Sequence, residues 1–108
     1  MSNPAEFAGQ VALVTGASRG IGAAIAQTLA ARGLTVIGTA TTDAGAEAIG
    51  AALATYPGSR GARLDVNDAA AAEALIDGIV KQHGALHVLV NNAGITRDQL
   101  AMRMKDDD

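Results

Sequence analysis

Two patterns of apolar residues alternate along this chain: short continuous runs, and longer segments in which apolar residues recur at helical spacing. The short runs, at residues 11–15, 34–39, 62–66 and 86–90, predict strands because turn-forming residues bound them. Strands that alternate with helices are typical of right-handed βαβ units. The pattern therefore predicts an α/β protein with a parallel sheet and helices on both of its faces.

Start and stop signals delimit two of the helical segments. Apolar residues within 21–29 precede Arg32 and Gly33, which form a basic last turn followed by a C′ glycine. Asn67 is the expected N-cap of the last helix, and Gly84 is its expected end. The apolar stripe of that helix consists of Ala72, Leu75, Ile76, Ile79 and Val80.

The middle helical segment is less regular. Asp43 is its expected N-cap, and the helix is expected to continue through Ala54. Gly45 and Gly50 weaken it, because glycine loses more conformational entropy than other residues when a helix forms. The dipeptide Pro57-Gly58 then predicts a turn before the third strand.

Composition indicates a folded chain whose core is built from small aliphatic residues. Hydrophobic residues make up 49% of the 108 residues and charged residues 18%, which is typical of one globular domain or part of one. The aromatic residues are Phe7 and Tyr56, so aliphatic side chains must build the core. The absence of Cys excludes a disulfide framework and any thiolate chemistry.

Charge and hydropathy argue against nucleic-acid and membrane partners. The acidic residues 106–108 account for the whole formal net charge of −3, and no basic face remains for a phosphate backbone. Stacking aromatics for single-stranded nucleic acid are also lacking. The apolar runs are too short to span a bilayer, and no signal segment opens the chain. We therefore expect a soluble cytoplasmic protein.

A glycine-rich loop joins the first predicted strand to the first predicted helix. Gly16 would permit a tight turn, Gly20 would let the backbone approach a phosphate, and Gly22 would let the helix pack on the strand. The spacing is G-x-x-x-G-x-G and not the familiar G-x-G-x-x-G, and no P-loop Lys follows. A plain strand-to-helix turn is the alternative. Because Ser18 and Arg19 lie within the loop, phosphate binding at the helix N-terminus is the interpretation that we favour.

Two further motifs complete a pattern. Asp65 and Val66 end the third predicted strand, and Asn-Asn-Ala-Gly at 91–94 ends the fourth. With the glycine loop, these motifs resemble those of the short-chain dehydrogenase/reductase family in order and approximate spacing. Within that family, residues 15–22, 38–42 and 91–98 most resemble the bacterial 3-oxoacyl-[acyl-carrier-protein] reductases.

That resemblance implies a Rossmann-type doubly wound parallel sheet. Residues 1–108 would form its N-terminal βαβαβαβ portion, which is the NADP-binding part of a single reductase domain. Family members are considerably longer, so we expect an incomplete domain. The family's catalytic Tyr, Lys, Ser and Asn match positions beyond residue 108, so the resemblance carries no catalytic residue over to this chain.

The resemblance also implies cofactor-binding roles. The glycine loop would line the pyrophosphate and the adenosine phosphate, and the next three strand ends would contact the 2′-phosphate, the adenine and the nicotinamide-side ribose in turn. In that order, the implied residues are Gly16, Ala17, Ser18, Arg19 and Ile21; Thr41; Asp65 and Val66; and Asn92, Ala93 and Gly94. Judged from the residues alone, Asn91 and Asn92 suit a strand-end hydrogen-bond staple, and Asp65 suits a turn.

The end of the second predicted strand favours NADP(H) over NAD(H). An acid there would bind both ribose hydroxyls and repel a 2′-phosphate, whereas this chain has Thr41 and Thr42 at the turn. Arg19 would supply positive charge to the phosphate. Asp43 lies about 20 residues beyond the glycine loop, where an NAD-binding acid is expected. We favour an N-cap role for it.

The activity that the resemblance implies is NADPH-dependent reduction of 3-oxoacyl-[acyl-carrier-protein] to the (R)-3-hydroxyacyl product in fatty-acid synthesis. The partner would be an acyl-carrier-protein or coenzyme A thioester, and the full-length assembly would be a homotetramer. Two alternatives stay open. One is an acetoacetyl-coenzyme A reductase of the same family, and the other is a natively short, non-catalytic nucleotide-binding module.

The other candidate residues have structural interpretations. His83 and His87 lack a third ligand at metal-binding spacing, so we expect no metal site, and His83 suits a helix end. The family usually carries Asp where this chain has His87, which leaves the support of the fourth strand in question. Tyr56 and Arg60 imitate the family's Tyr-x-x-x-Lys spacing, but the turn between them prevents a helix from aligning the two side chains.

Overall fold

The computed structural model describes residues 9–65 and 67–92, in which strands and helices alternate. The four strands form one parallel sheet in the order β3-β2-β1-β4, which confirms the predicted Rossmann-type α/β fold. Its elements are β1 (Val11–Thr15), α1 (Gly20–Ala31), β2 (Thr35–Ala40), α2 (Asp43–Ala52), β3 (Arg60–Arg63), α3 (Ala69–His83) and β4 (Val88–Asn91).

The strand order reverses at β1. Val14 of this central strand is in register with Gly38 of β2 on one side and with Val90 of β4 on the other. The chain first moves outward through β2 and β3 and then crosses back to β4 by way of α3. In open parallel sheets, ligands bind at the carboxyl ends of the strands beside such a reversal.

The helices cover opposite faces of the sheet. Val14 and Ile49 belong to the core between the sheet and helices α1 and α2, whereas Leu13 and Ile76 belong to the core beneath α3. All five residues of β1 are buried, because successive side chains of this central strand enter opposite cores. Among the described residues, the largest fully buried side chains are Leu13, Ile37, Leu53, Ile76 and Ile79.

Small residues bring α2 unusually close to the sheet. A Cβ atom on Gly61 of β3 would collide with the carbonyl oxygen of Ala46 and would lie 3.1 Å from the Gly50 nitrogen. A Cβ on Gly38 of β2 would lie 2.8 Å from Ile49. Gly50 thus lies at a close packing contact between α2 and β3, although glycine lowers the helix propensity of α2.

The predicted N-caps of α2 and α3, Asp43 and Asn67, are each wrong by one residue. Thr42, not Asp43, caps α2: its backbone is extended, and its hydroxyl accepts a hydrogen bond from the Gly45 N–H at 3.0 Å. Asp68, not Asn67, caps α3 by accepting from the Ala71 N–H at 3.0 Å. Adjacent residues that can all cap a helix make this position ambiguous in a sequence.

The other boundaries differ from expectation mainly at β3. Pairing with β2 runs from Ile37↔Arg60 to Ala40↔Arg63, so the strand ends before Asp65 and does not extend over 62–66. β3 thus begins and ends earlier than predicted, whereas β2 and β4 are displaced toward the carboxyl side, and α2 ends at Ala52. The glycine stops are confirmed, since Gly33 and Gly84 have φ values of 103° and 88°.

Candidate nucleotide-binding site

The predicted site residues that the structure describes all lie at one edge of the sheet. Parallel strands end on the same side, so β1 leads into the glycine loop beside the segments that follow β2, β3 and β4. Thr41 follows β2, Asp65 follows β3, and Asn92 follows β4. Val66, Ala93 and Gly94 lie outside the described residues.

The glycine loop turns the chain sharply from β1 into α1. Gly16 and Gly20 both have a φ of 64°, in the left-handed region that favours glycine. A Cβ on Gly22 would collide with the carbonyl oxygen of Gly16 and would lie 2.6 Å from the Asn92 side-chain nitrogen. The first turn of α1 therefore rests directly on the end of β1, which confirms the packing role expected of Gly22.

The N-terminus of α1 is open to an anion. Arg19 is its N-cap residue, yet no side chain forms a capping hydrogen bond there, and the first turn contains no acid. Ser18 and Arg19 are exposed, and the Arg19 guanidinium has no ion-pair partner within residues 9–65 and 67–92. Among the described residues, Ile21 is the only large hydrophobic side chain that is exposed, at 73%. Backbone N–H groups at such a helix end favour phosphate.

Ala17 has a different position from its neighbours in the loop. Its side chain is 4% exposed and packs in the core beneath α1 and α2. Its backbone N–H donates to the carbonyl oxygen of Thr39 at 2.9 Å, which fixes the loop to the end of β2. The side chain and the backbone N–H of Ala17 are therefore both engaged within the protein.

Two asparagines connect the end of β4 to the glycine loop. The Thr15 hydroxyl donates to the side-chain oxygen of Asn91 at 3.3 Å and accepts from the backbone N–H of Asn92 at 3.0 Å. The side-chain amide of Asn92 donates to the carbonyl oxygen of Gly16 at 3.1 Å. Asn91 is thus the staple expected from the sequence, and Asn92 also joins this network.

Two neighbouring threonines in the loop after β2 differ in their hydrogen bonding. The Thr42 hydroxyl accepts the capping hydrogen bond of α2, whereas the Thr41 hydroxyl has no hydrogen-bond partner within the described part of the chain. A Cβ on Gly45 would lie 2.6 Å from the Ala40 Cβ and 3.5 Å from the Ser18 Cβ. The first turn of α2 therefore borders the glycine loop.

Asp43 forms an ion pair with Arg63, a residue that sequence reasoning did not include in the site. The carboxylate lies 3.7 Å from the guanidinium, and the two side chains are 82% and 64% exposed. Asp43 is the first residue of α2 and Arg63 the last of β3. The available signal was an Arg shortly before Asp65, but the predicted bounds of β3, residues 62–66, placed Arg63 near the start of the strand and away from its carboxyl end.

Asp65 forms the turn that the residues alone suggest. Its Oδ1 accepts from the backbone N–H of Asn67 at 2.9 Å, and its carbonyl oxygen accepts from the Asp68 N–H, also at 2.9 Å. This is an Asx-turn. The carboxylate is exposed and has more acceptor sites than this one hydrogen bond uses.

The remaining polar candidates are structural. The Nδ1 atom of His87 accepts from the Val11 N–H at 3.0 Å, while the His87 N–H donates to the Val11 carbonyl at 2.9 Å. This histidine therefore does support the approach of the chain to β4. His83 is the last residue of α3, as expected, and a turn separates Tyr56 from Arg60.

Two negative findings apply to the described residues alone. No three His, Cys, Asp or Glu side chains there are grouped so that they could hold a metal ion. None of the helices in those ranges is long and apolar enough to cross a membrane.

Comparison with known proteins gives consistent matches. The profile of the short chain dehydrogenase family matches residues 10–108. The chain is 56% identical over 104 residues to the 3-oxoacyl-[acyl-carrier-protein] reductase FabG of Escherichia coli, covering 94% of this chain and 41% of that protein. The reductases of the same name from Vibrio harveyi and Pseudomonas aeruginosa are 56% and 52% identical, each over 93% of this chain. The chain spans 40% and 41% of those two relatives.

Proposed function

Since this chain belongs to the short chain dehydrogenase family, we propose that it binds NADP(H) at the carboxyl edge of its sheet. The packing of Gly22 against the end of β1 carries the proposal. It sets the uncapped N-terminus of α1 beside the loops that follow β2 and β4. The residues at this edge fit a dinucleotide, since they offer N–H groups, a cation and a free hydroxyl.

Each part of the cofactor has its proposed contacts. Gly16, Ala17, Ser18, Arg19 and Ile21 line the phosphates, and Thr41 donates its hydroxyl toward the 2′-phosphate. Arg19 adds a charge-assisted contact that NADH would not make. Asp65 and Val66 hold the adenine, with the carboxylate accepting from the exocyclic amine. Asn92, Ala93 and Gly94 border the nicotinamide-side ribose.

The proposed reaction is reduction of 3-oxoacyl-[acyl-carrier-protein] to the (R)-3-hydroxyacyl thioester. It is supported by the names of relatives that are 52–56% identical to this chain. Bound NADPH supplies the hydride, and residues 1–108 supply the cofactor-binding part of one reductase domain. We assign no proton donor to these residues, because Tyr56 lies at a turn away from this edge. A cytoplasmic homotetramer is the assembly that the resemblance implies.

The test uses the natural protein that contains these 108 residues, at its natural length. Calorimetric titration with NADPH and NADH measures binding without turnover. NADPH oxidation with acetoacetyl thioesters of acyl carrier protein and of coenzyme A then separates the carrier-protein reductase from the coenzyme A reductase. Nucleotide binding without turnover on either thioester would favour a non-catalytic module, and failure to bind either nucleotide would reject the site.

A further inference from the structure

The carboxyl edge of the sheet contains a charge that opposes NADP(H) binding. Asp43 directly follows Thr41 and Thr42, the segment proposed to receive the 2′-phosphate, and its side chain is 82% exposed. A carboxylate at this point of the fold is suited to the ribose hydroxyls of NAD(H) and repels a 2′-phosphate. The structure, however, pairs this carboxylate with Arg63 at 3.7 Å.

The position of Arg63 follows from the strand register. Arg63 is opposite Ala40, the residue immediately before Thr41, so the last residue of β3 lies beside the loop that follows β2. The close approach of Gly45 to Ala40 and Ser18 keeps the first turn of α2 at the same place. The ion pair therefore borders the glycine loop, which carries Arg19.

An ion pair this exposed contributes little to folding stability, because solvent screens it. The ion pair does, however, change the electrostatic potential near Thr41. With Arg63 present, the pair is close to neutral, and the net charge near Thr41 is set by Arg19. Without Arg63, the negative charge of Asp43 stands alone beside the proposed phosphate.

We propose that Arg63 determines cofactor specificity by offsetting the charge of Asp43, so that the adenosine end of the site accepts a 2′-phosphate despite a carboxylate at its border. This inference rests on the proposed function, because it takes the carboxyl edge as the NADP(H) site. Arg63 is a positioning residue here, since it acts through Asp43 and contacts no reacting atom.

A double-mutant cycle in the natural-length protein tests the proposal. The variants are Arg63→Met, Asp43→Asn and the combination of both, with dissociation constants for NADPH and NADH measured by calorimetric titration. We expect Arg63→Met to weaken NADPH about five- to tenfold, the size of one unit-charge interaction at a few ångströms in a solvent-exposed site. NADH should change by less than about twofold, since it carries no 2′-phosphate.

The double variant provides the decisive measurement. If Arg63 acts through Asp43, removing both charges should return the NADPH dissociation constant to within about twofold of the parent value. Arg60→Met is the matched control, because Arg60 is the first residue of the same strand, at the opposite end from the site. It should leave both affinities unchanged.

Three outcomes would overturn the inference. The first is an equal loss of NADPH affinity in Arg63→Met and in the double variant. The second is an equal loss of NADPH and NADH affinity in Arg63→Met, and the third is no loss of NADPH affinity in that variant. A parent protein that binds neither nucleotide would instead overturn the proposed function. Thermal unfolding of each variant shows whether it is folded, and raised salt should shrink the NADPH difference.

Discussion

The side-chain amide of Asn92 donates a hydrogen bond to the carbonyl oxygen of Gly16 at 3.1 Å. Asn92 follows the last strand of the described sheet, and Gly16 opens the loop after the first strand. The fourth strand thus fixes the backbone of the glycine loop directly. A Cβ on Gly22 would meet both groups, so these three residues form one contact, and the shape of the proposed phosphate site depends on it.

Replacing Arg19 should weaken the binding of NADPH much more than the binding of NADH. In the natural-length protein, Arg19→Ala should weaken NADPH by roughly 1.5–3 kcal/mol, because a charge-assisted contact to the 2′-phosphate is lost. NADH should lose much less. Titration of both nucleotides checks this, with Arg32→Ala at the other end of α1 as the control. Equal losses for both nucleotides would remove Arg19 from this role.

Gly22 should not tolerate even one added methyl group. Gly22→Ala places a Cβ against the backbone of Gly16, so we expect roughly 1–3 kcal/mol of destabilisation and loss of nucleotide binding. Gly78 is an exposed glycine inside α3 with open space around it. Gly78→Ala should therefore stabilise by about 0.5–1 kcal/mol. Denaturant unfolding and titration measure both, and a Gly22→Ala protein with parent affinity would contradict the packing argument.

The two threonines after β2 should respond differently to alanine. Thr42→Ala removes the cap of α2 and should cost roughly 0.5–2 kcal/mol of stability. Thr41→Ala should leave stability nearly unchanged and weaken NADPH, because its hydroxyl is the one proposed to contact the phosphate. Unfolding and titration on the same pair of variants distinguish these roles. The reverse assignment would be evident if Thr41→Ala were the less stable protein.

His87 should be replaceable by an acceptor and not by an aliphatic residue. His87→Leu leaves the part-buried N–H of Val11 without its acceptor, so we expect a loss of about 1–3 kcal/mol. His87→Asp restores an oxygen acceptor and should recover most of that loss. Both free energies come from denaturant unfolding. Equal stability of the two variants would show that the hydrogen bond contributes nothing.

A polypeptide of these 108 residues, made alone, should lack ketoreductase activity. We have assigned no proton donor to it, and hydride delivery without protonation does not complete the alcohol. It should also be poorly stable as a monomer, since β4 is the last strand of the described sheet and its residues are half-buried. NADPH oxidation with an acetoacetyl thioester and reversible thermal unfolding test the two claims. Turnover near that of the natural-length protein would refute the first, and a cooperative monomeric transition the second.

The sequence predicted the order and type of every described element, because alternating apolar runs and helical spacing are strong local signals. It did not locate the N-caps, since Thr42 and Asp43 both suit that position, as do Asn67 and Asp68. It also missed Arg63 as a neighbour of Asp43. That contact follows from the register between β2 and β3, and register depends on pairing between distant segments, which local sequence does not encode.

The central position of β1 has a consequence for the order in which the protein is built. β2 is the next strand along the chain after β1, whereas the partner on the other edge of β1 is β4, and the hydrogen bond from Val11 to His87 spans 76 residues. Until the ribosome has released that segment, the most buried strand of the sheet has an open edge, which is a template for pairing with another chain. We expect slow translation between α3 and β4 to be the stage at which the nascent chain is most prone to aggregation.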